Sequence, residues 1–164
     1  MNRKLICVAS GVASLGMAFT LTTTIDAAAA VITGTPGDDR LVGTSRNDQI
    51  HGRAGDDLIF GRRGGDHLVG GSGNDEVHGN RGPDGLFGLR GRDHLHGGRG
   101  HDYAEPGRKA DRLWLRRGDD LVIIERDGRR DVIRCGRGQD RVFYLTARDP
   151  RDRLFRCEVI EAHV

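Results

Sequence analysis

An aspartate recurs every nine residues from Asp39 to Asp120 without one slip, through Asp48, Asp57, Asp66, Asp75, Asp84, Asp93, Asp102 and Asp111. Two positions after each stands a small or medium apolar residue: Leu41, Ile50, Ile59, Leu68, Val77, Leu86, Leu95, Ala104, Leu113 and Val122. Glycine opens most units and usually recurs two residues before the aspartate, as in GGSGNDEVH, Gly70 to His78. Glycines at the first and fourth positions are expected to supply positive φ and close backbone approach, so the first six residues form a compact turn. The last three form a minimal strand, with the eighth residue inward and the seventh and ninth outward. A unit with one apolar side chain cannot bury it alone, so successive units must stack.

The ten in-phase units resemble the haemolysin-type, or RTX, calcium-binding nonapeptide repeat, over more than half of the chain. The resemblance implies an all-β fold, a parallel β-roll with two nonapeptides per coil, in which residues eighteen apart lie above one another. Asp39, Asp57, Asp75, Asp93 and Asp111 then form one ladder, and Asp48, Asp66, Asp84, Asp102 and Asp120 the other. Carboxylates stacked one rung apart, ~4.8 Å in a sheet, repel, and a divalent cation between them turns repulsion into coordination. Calcium suits such a gap because it accepts many oxygen ligands, carbonyls included, in flexible geometry. Zinc asks for nitrogen or sulfur, which the turns lack.

The metal ligands implied are Asp39, Asp57, Asp75 and Asp93 with Asp48, Asp66, Asp84, Asp102 and Asp120. The turn glycines are Gly34, Gly37, Gly52, Gly55, Gly61, Gly64, Gly70, Gly73, Gly79, Gly82, Gly97 and Gly100. Asp111 is set apart, because its turn PGRKAD has lost both glycines and carries Arg108 and Lys109. GTPGDD, GRAGDD and GGSGND read as the strongest sites, with Asp38, Asp56 or Asn74 beside the main ligand. Four gaps in each ladder set a ceiling of eight ions, with five or six expected. One apolar side chain per nine residues buries little against the ordering of a glycine-rich backbone, so calcium binding and folding are expected to be one event. A glycine-rich disordered linker is the plain alternative on composition, and the strict phase argues against it.

Residues 1–30 read as a secretory signal peptide. Asn2, Arg3 and Lys4 precede the apolar run Leu5 to Leu21, and Ala28-Ala29-Ala30 offers small residues for cleavage. A retained anchor is the rival, and the mature chain is expected to have no membrane span. Residues 31–124 form the roll, and 125–164 hold degenerate repeats and a C-terminal cap. Asp131 with Ile133 and Asp140 with Val142 continue the pattern after a two-residue slip. Cys135 and Cys157, left alone once residues 1–30 are removed, most simply form a disulfide in an exported protein. The ending, Asp-Pro followed by CEVI, is similar to that of small exported calcium-repeat proteins from actinobacteria.

A formal net charge of +2 implies no strong field towards nucleic acid, and none is expected as partner. Arg63, Arg81, Arg99 and Arg117 form a column at the third position. Pairing with nearby carboxylates is one reading of it, and a stripe for an anionic polymer the other. Phe60, His78, His96 and Trp114 form a ninth-position column that either packs under a terminal segment or contacts sugars, and His78 with His96 could hold a transition metal. Neither HExxH nor GxSxG occurs, so no enzyme is expected. The function that follows is a secreted, extracellular calcium-binding module with a structural or interaction role. An adhesin, or a protein that binds or modifies polysaccharide through the outer faces of the roll, is the alternative.

Overall fold

The computed structural model describes residues 4–6, 29–125, 127–146, 148–157 and 159–162. Residues 1–3 and 7–28, most of the expected signal peptide, lie outside the described residues. The strands are β1 (Lys4–Ile6), β2 (Val31–Thr33), β3 (Asp39–Val42), β4 (Gln49–Ala54), β5 (Leu58–Arg63), β6 (His67–Ser72), β7 (Glu76–Arg81) and β8 (Gly85–Arg90). They continue as β9 (His94–Arg99), β10 (Tyr103–Arg108), β11 (Arg112–Arg117), β12 (Leu121–Ile124), β13 (Val132–Arg137), β14 (Arg141–Tyr144), β15 (Arg153–Phe155) and β16 (Val159–Ala162).

Odd-numbered strands make one eight-stranded parallel sheet and even-numbered strands the other. The chain therefore winds as a parallel β-roll, alternating between two facing sheets. Register is eighteen residues per coil, with Ile59 beside Val77, Val77 beside Leu95, and Leu95 beside Leu113. Beyond Ile124 both sheets run on with a longer step: Leu113 pairs Ile133 and Val122 pairs Val142.

Strand burial alternates as the period requires, and the eighth residue of every unit is buried, from Leu41 to Val122. A second inward position was not legible in the repeat. The first residue of each unit also faces inward, where glycine hides the fact. It becomes visible where the glycine is lost, at Leu115, Ile124, Cys135 and Tyr144, all buried in the same core. Cys135 and Cys157 are joined by a disulfide, which ties the segment after β15 to the core side of β13.

The glycines divide by physical role, and here the sequence expectation needs correcting. Fourth-position glycines from Gly55 onward adopt positive φ, as at Gly73 (138°), and so does Lys109 (96°) where the glycine is gone, whereas Gly37 does not. First-position glycines do not. They are small because a Cβ on Gly43 would fall 2.6 Å from Asp48 Oδ2 and 2.7 Å from the Gly61 carbonyl oxygen. Positive φ falls instead on the second position, at Arg53 (87°), Arg62 (87°), Asn80 (79°), Leu89 (73°) and Arg116 (80°). Side chains rarely tolerate that region, so these turns hold backbone strain that the consensus pattern does not announce.

Candidate metal centre

Each sixth-position aspartate closes its turn and aims its carboxylate under the backbone, away from solvent. All ten from Asp39 to Asp120 are buried, and so are Asp131, Asp140 and Asp152. From Asp57 onward, Oδ1 of each accepts the main-chain N–H of the aspartate one rung earlier, and Asp48 Oδ1 accepts Ala30 N–H (2.7 Å). Asp39 N–H donates to Asp57 Oδ1 (2.9 Å), Asp57 to Asp75 (2.9 Å), Asp75 to Asp93 (2.9 Å) and Asp93 to Asp111 (2.8 Å). The second ladder repeats this from Asp48 to Asp66 (2.8 Å), Asp84 (2.9 Å), Asp102 (3.0 Å) and Asp120 (2.9 Å).

Asp111, set apart on sequence, stands in the ladder like the rest, and its own N–H donates to Asp131 Oδ1 (2.9 Å). Asp131 donates in turn to Asp152, and Asp120 to Asp140. The Asp-x-apolar pattern was the signal for these late rungs. The insertions fall in the turns before them, so the spacing stretches while the ladder stays intact. Asp152, which precedes Leu154 by the same two residues, was missed in the sequence because twelve residues separate it from Asp140.

The other oxygen, Oδ2, separates the turns into two kinds. In the first two, threonine at the second position satisfies it: Thr35 N–H lies 2.5 Å from Asp39 Oδ2 and Thr44 N–H 2.6 Å from Asp48 Oδ2, each joined by its own hydroxyl. From the third turn onward the second residue has positive φ, and Oδ2 of Asp57, Asp66, Asp75, Asp84, Asp93, Asp102, Asp111 and Asp120 is buried without a hydrogen-bond partner. A buried anionic oxygen left unpaired is costly.

Burial accordingly pushes these carboxyls far above the ordinary 3.8, against the lowering effect of the backbone N–H each accepts. Asp66, Asp93 and Asp102 rise to about 6, Asp57, Asp75, Asp84 and Asp120 to about 7, and Asp111 to about 8. For most of them, neighbouring aspartates of the same ladder add to the rise. A divalent cation removes both penalties together, since it supplies positive charge and takes up the open oxygen. Oxygen-only donors, carboxylate and carbonyl, fit a hard ion such as calcium.

Asp38, Asp56, Asn74 and Asn47, beside the main aspartates, point the other way. Their exposed side chains accept from the next rung: Asp56 N–H to Asp38 Oδ1 (2.8 Å), Asn74 N–H to Asp56 Oδ1 (2.7 Å) and Gly65 N–H to Asn47 Oδ1 (2.8 Å). They form an outer capping row that stitches the turns together.

His78 and His96 are joined by Glu76, the three offering ligand atoms within 4.8 Å of one another. Their rings are parallel to within 3°, with centroids 4.5 Å apart. Lone pairs in parallel planes do not converge on one ion. Burial, then the nearby His78 and Arg116, holds the His96 imidazole neutral, with its pKa lowered to about 4.

Residues 33–68 and 69–104 each match the family model described as RTX calcium-binding nonapeptide repeat (4 copies). A search of curated proteins found no match. Among the described residues no helix is long and apolar enough to cross a membrane. RTX nonapeptide repeats bind calcium, and the roll, its aspartate ladders and the matched repeats agree on the assignment. Residues 33–104 of the chain are RTX calcium-binding nonapeptide repeats.

Proposed function

We propose that the protein is an exported module whose roll assembles on calcium outside the cell and then serves as a rigid structural or interaction element. The observation that carries this is the double row of buried, partnerless Oδ2 atoms. Asp57, Asp75, Asp93 and Asp111 hold one file of ions, and Asp66, Asp84, Asp102 and Asp120 the other. Within the in-phase turns, two ladders of four carboxylates leave three gaps each, which gives six calcium ions. The threonine-capped Asp39 and Asp48 contribute to folding through hydrogen bonds instead. Residues 125–164 close the end of the roll, and the Cys135–Cys157 bond, a cross-link suited to an oxidising compartment, fixes that closure. The amino-terminal charged and apolar run directs export, and the high calcium outside supplies the ion.

Calcium titration followed together by far-UV circular dichroism and calorimetry tests this. Strand signal and heat should saturate at the same calcium-to-protein ratio, near six, with sigmoidal filling because each bound ion orders the next turn. Identical spectra in calcium and in excess chelator at neutral pH would refute the coupling.

A further inference from the structure

The outer face of the odd-numbered sheet carries a groove without a single acidic residue in its lining. Its amino-terminal part is formed by Arg40, Phe60, Arg62, Arg63, Asn80 and Arg81. Asn80 and Arg81 continue it into a second part lined by His78, His96, Arg99, Arg117, Arg137 and Arg156 among others. One wall is the third-position arginine column, Arg63, Arg81, Arg99, Arg117 and Arg137, whose strand neighbours are in register rung by rung. Among the described residues none of these five has a carboxylate at ion-pair distance, although all are exposed. Gly65, Pro83 and His101, two residues further on, keep that corner free of acid up to Asp119. The reading in which the column pairs with carboxylates is therefore not what the fold does with it.

The opposite wall is the ninth-position row. Phe60, His78, His96 and Trp114 stack face to face, with centroids 4.8, 4.5 and 4.7 Å apart and planes within 13°. Their faces are spent on one another, so the groove meets ring edges, and His78 Nε2 is taken by Glu76 Oε1 at 2.8 Å. Three residues of extended strand, about 10 Å at ~3.3 Å each, separate the walls. Between them lie Arg62, Asn80, Gly97, Gly98, Arg116 and Gly136.

From this we infer that the odd face binds a linear polyuronate, a glycan with one carboxylate on each sugar. Cations recur at every rung, ~4.8 Å apart, close to the advance of one sugar ring along an extended chain. Guanidinium groups take carboxylates in paired hydrogen bonds, and the groove is one sugar chain wide. Single-stranded nucleic acid needs open aromatic faces on which bases stack, and this row offers edges. The even face makes the contrast: its groove mixes Arg53, Arg90 and Arg108 with Glu105 and Glu125.

This rests on reading the roll as an interaction module, and circular dichroism keeps the two apart by showing whether the chain is folded in every binding measurement. The probe is a soluble oligogalacturonide too short to gel, titrated into the calcium-loaded full chain. Trp114, the only tryptophan, stacks on His96 of the groove wall and reports from there. Binding should weaken steadily with added salt. Arg81→Ser/Arg99→Ser/Arg117→Ser should weaken it by at least about tenfold with calcium stoichiometry and strand signal unchanged, whereas Arg90→Ser/Arg108→Ser on the even face should leave it as it was. Arg99→Gln alone, the milder change, should cost a smaller fraction of the affinity. Absence of binding by the folded protein overturns the inference. So does equal affinity in the triple variant, or tighter binding of an oligodeoxynucleotide of equal charge.

Discussion

The turns up to Gly97 and those from Pro106 onward carry the same aspartate ladder and support it by different means. In the first region glycine stands at the inward first position, at Gly52, Gly61, Gly70, Gly79, Gly88 and Gly97, so each unit adds mainly its eighth residue to the core. The carboxylate occupies the space a side chain would have filled. In the second region Leu115, Ile124, Cys135 and Tyr144 fill that position, and a disulfide adds to them. Hydrophobic burial roughly doubles per unit, and the coil tolerates insertions that lengthen its step to twenty residues between Leu113 and Ile133. The lesson is a trade: an end built on core and cross-link can hold its shape with irregular turns, while the glycine turns depend on whatever neutralises the ladder.

Protons should substitute for calcium, and this is the largest effect expected. The ladder carboxyls have folded pKa values from about 6, as at Asp66, to about 8, at Asp111, against an ordinary 3.8. Protonation therefore stabilises the metal-free coil fully below pH about 4, and that contribution is lost as pH rises through 6 to 8. Metal-free protein should show strand signal at pH 4 and lose it by pH 8, and calcium should abolish the dependence. Hydrogen exchange near the midpoint should find the turns from Gly52 to Asp102 open first. Uniform opening along the coil would erase the contrast between the regions.

Leu115→Ala removes a buried side chain from the core-supported region. Unfolding of the calcium-loaded protein should show a loss of about 2–5 kcal/mol, with calcium stoichiometry unchanged. Cys135→Ser/Cys157→Ser opens a bridge spanning 22 residues and should cost about 3 kcal/mol, again without loss of an ion. Gly88→Ala is the counterpart in the glycine region. Its Cβ would lie 2.5 Å from Asp93 Oδ2, so a loss of about 1–3 kcal/mol should come with weakened calcium binding. If calorimetry finds calcium affinity equally reduced in all three variants, the two regions are not supported differently. The smallest change should be a gain: Arg62→Gly relieves positive φ at 87° and should stabilise by about 1 kcal/mol, read as a higher calcium-loaded melting temperature.

Much of the fold was legible because stacking obeys the chain's own period. Nine residues with one aspartate and one apolar position gave strand, turn, inward face and ladder membership, and the structure places Asp57 and Asp75, or Ile59 and Val77, as that period requires. Legibility failed where a residue's role is defined by its absence. Glycine at the first position looked like a backbone hinge, and only the distance to Asp48 Oδ2 shows that it makes room for a carboxylate. Arg53 and Leu89 give no hint of positive φ in their chemistry. Asp111 was set apart by the Lys109 of its turn, yet its carboxylate stands in the same hydrogen-bonded ladder.

Sequence by itself determined the period, hence the roll, the two aspartate files and the hard-ion chemistry, because a repeat that cannot bury its own apolar residue has no fold except stacking. Tertiary structure alone decided which carboxylate oxygens stay open. It also left the arginine column free of acids on one face. Both depend on which atoms meet across a rung, and a linear order of residues does not contain those distances.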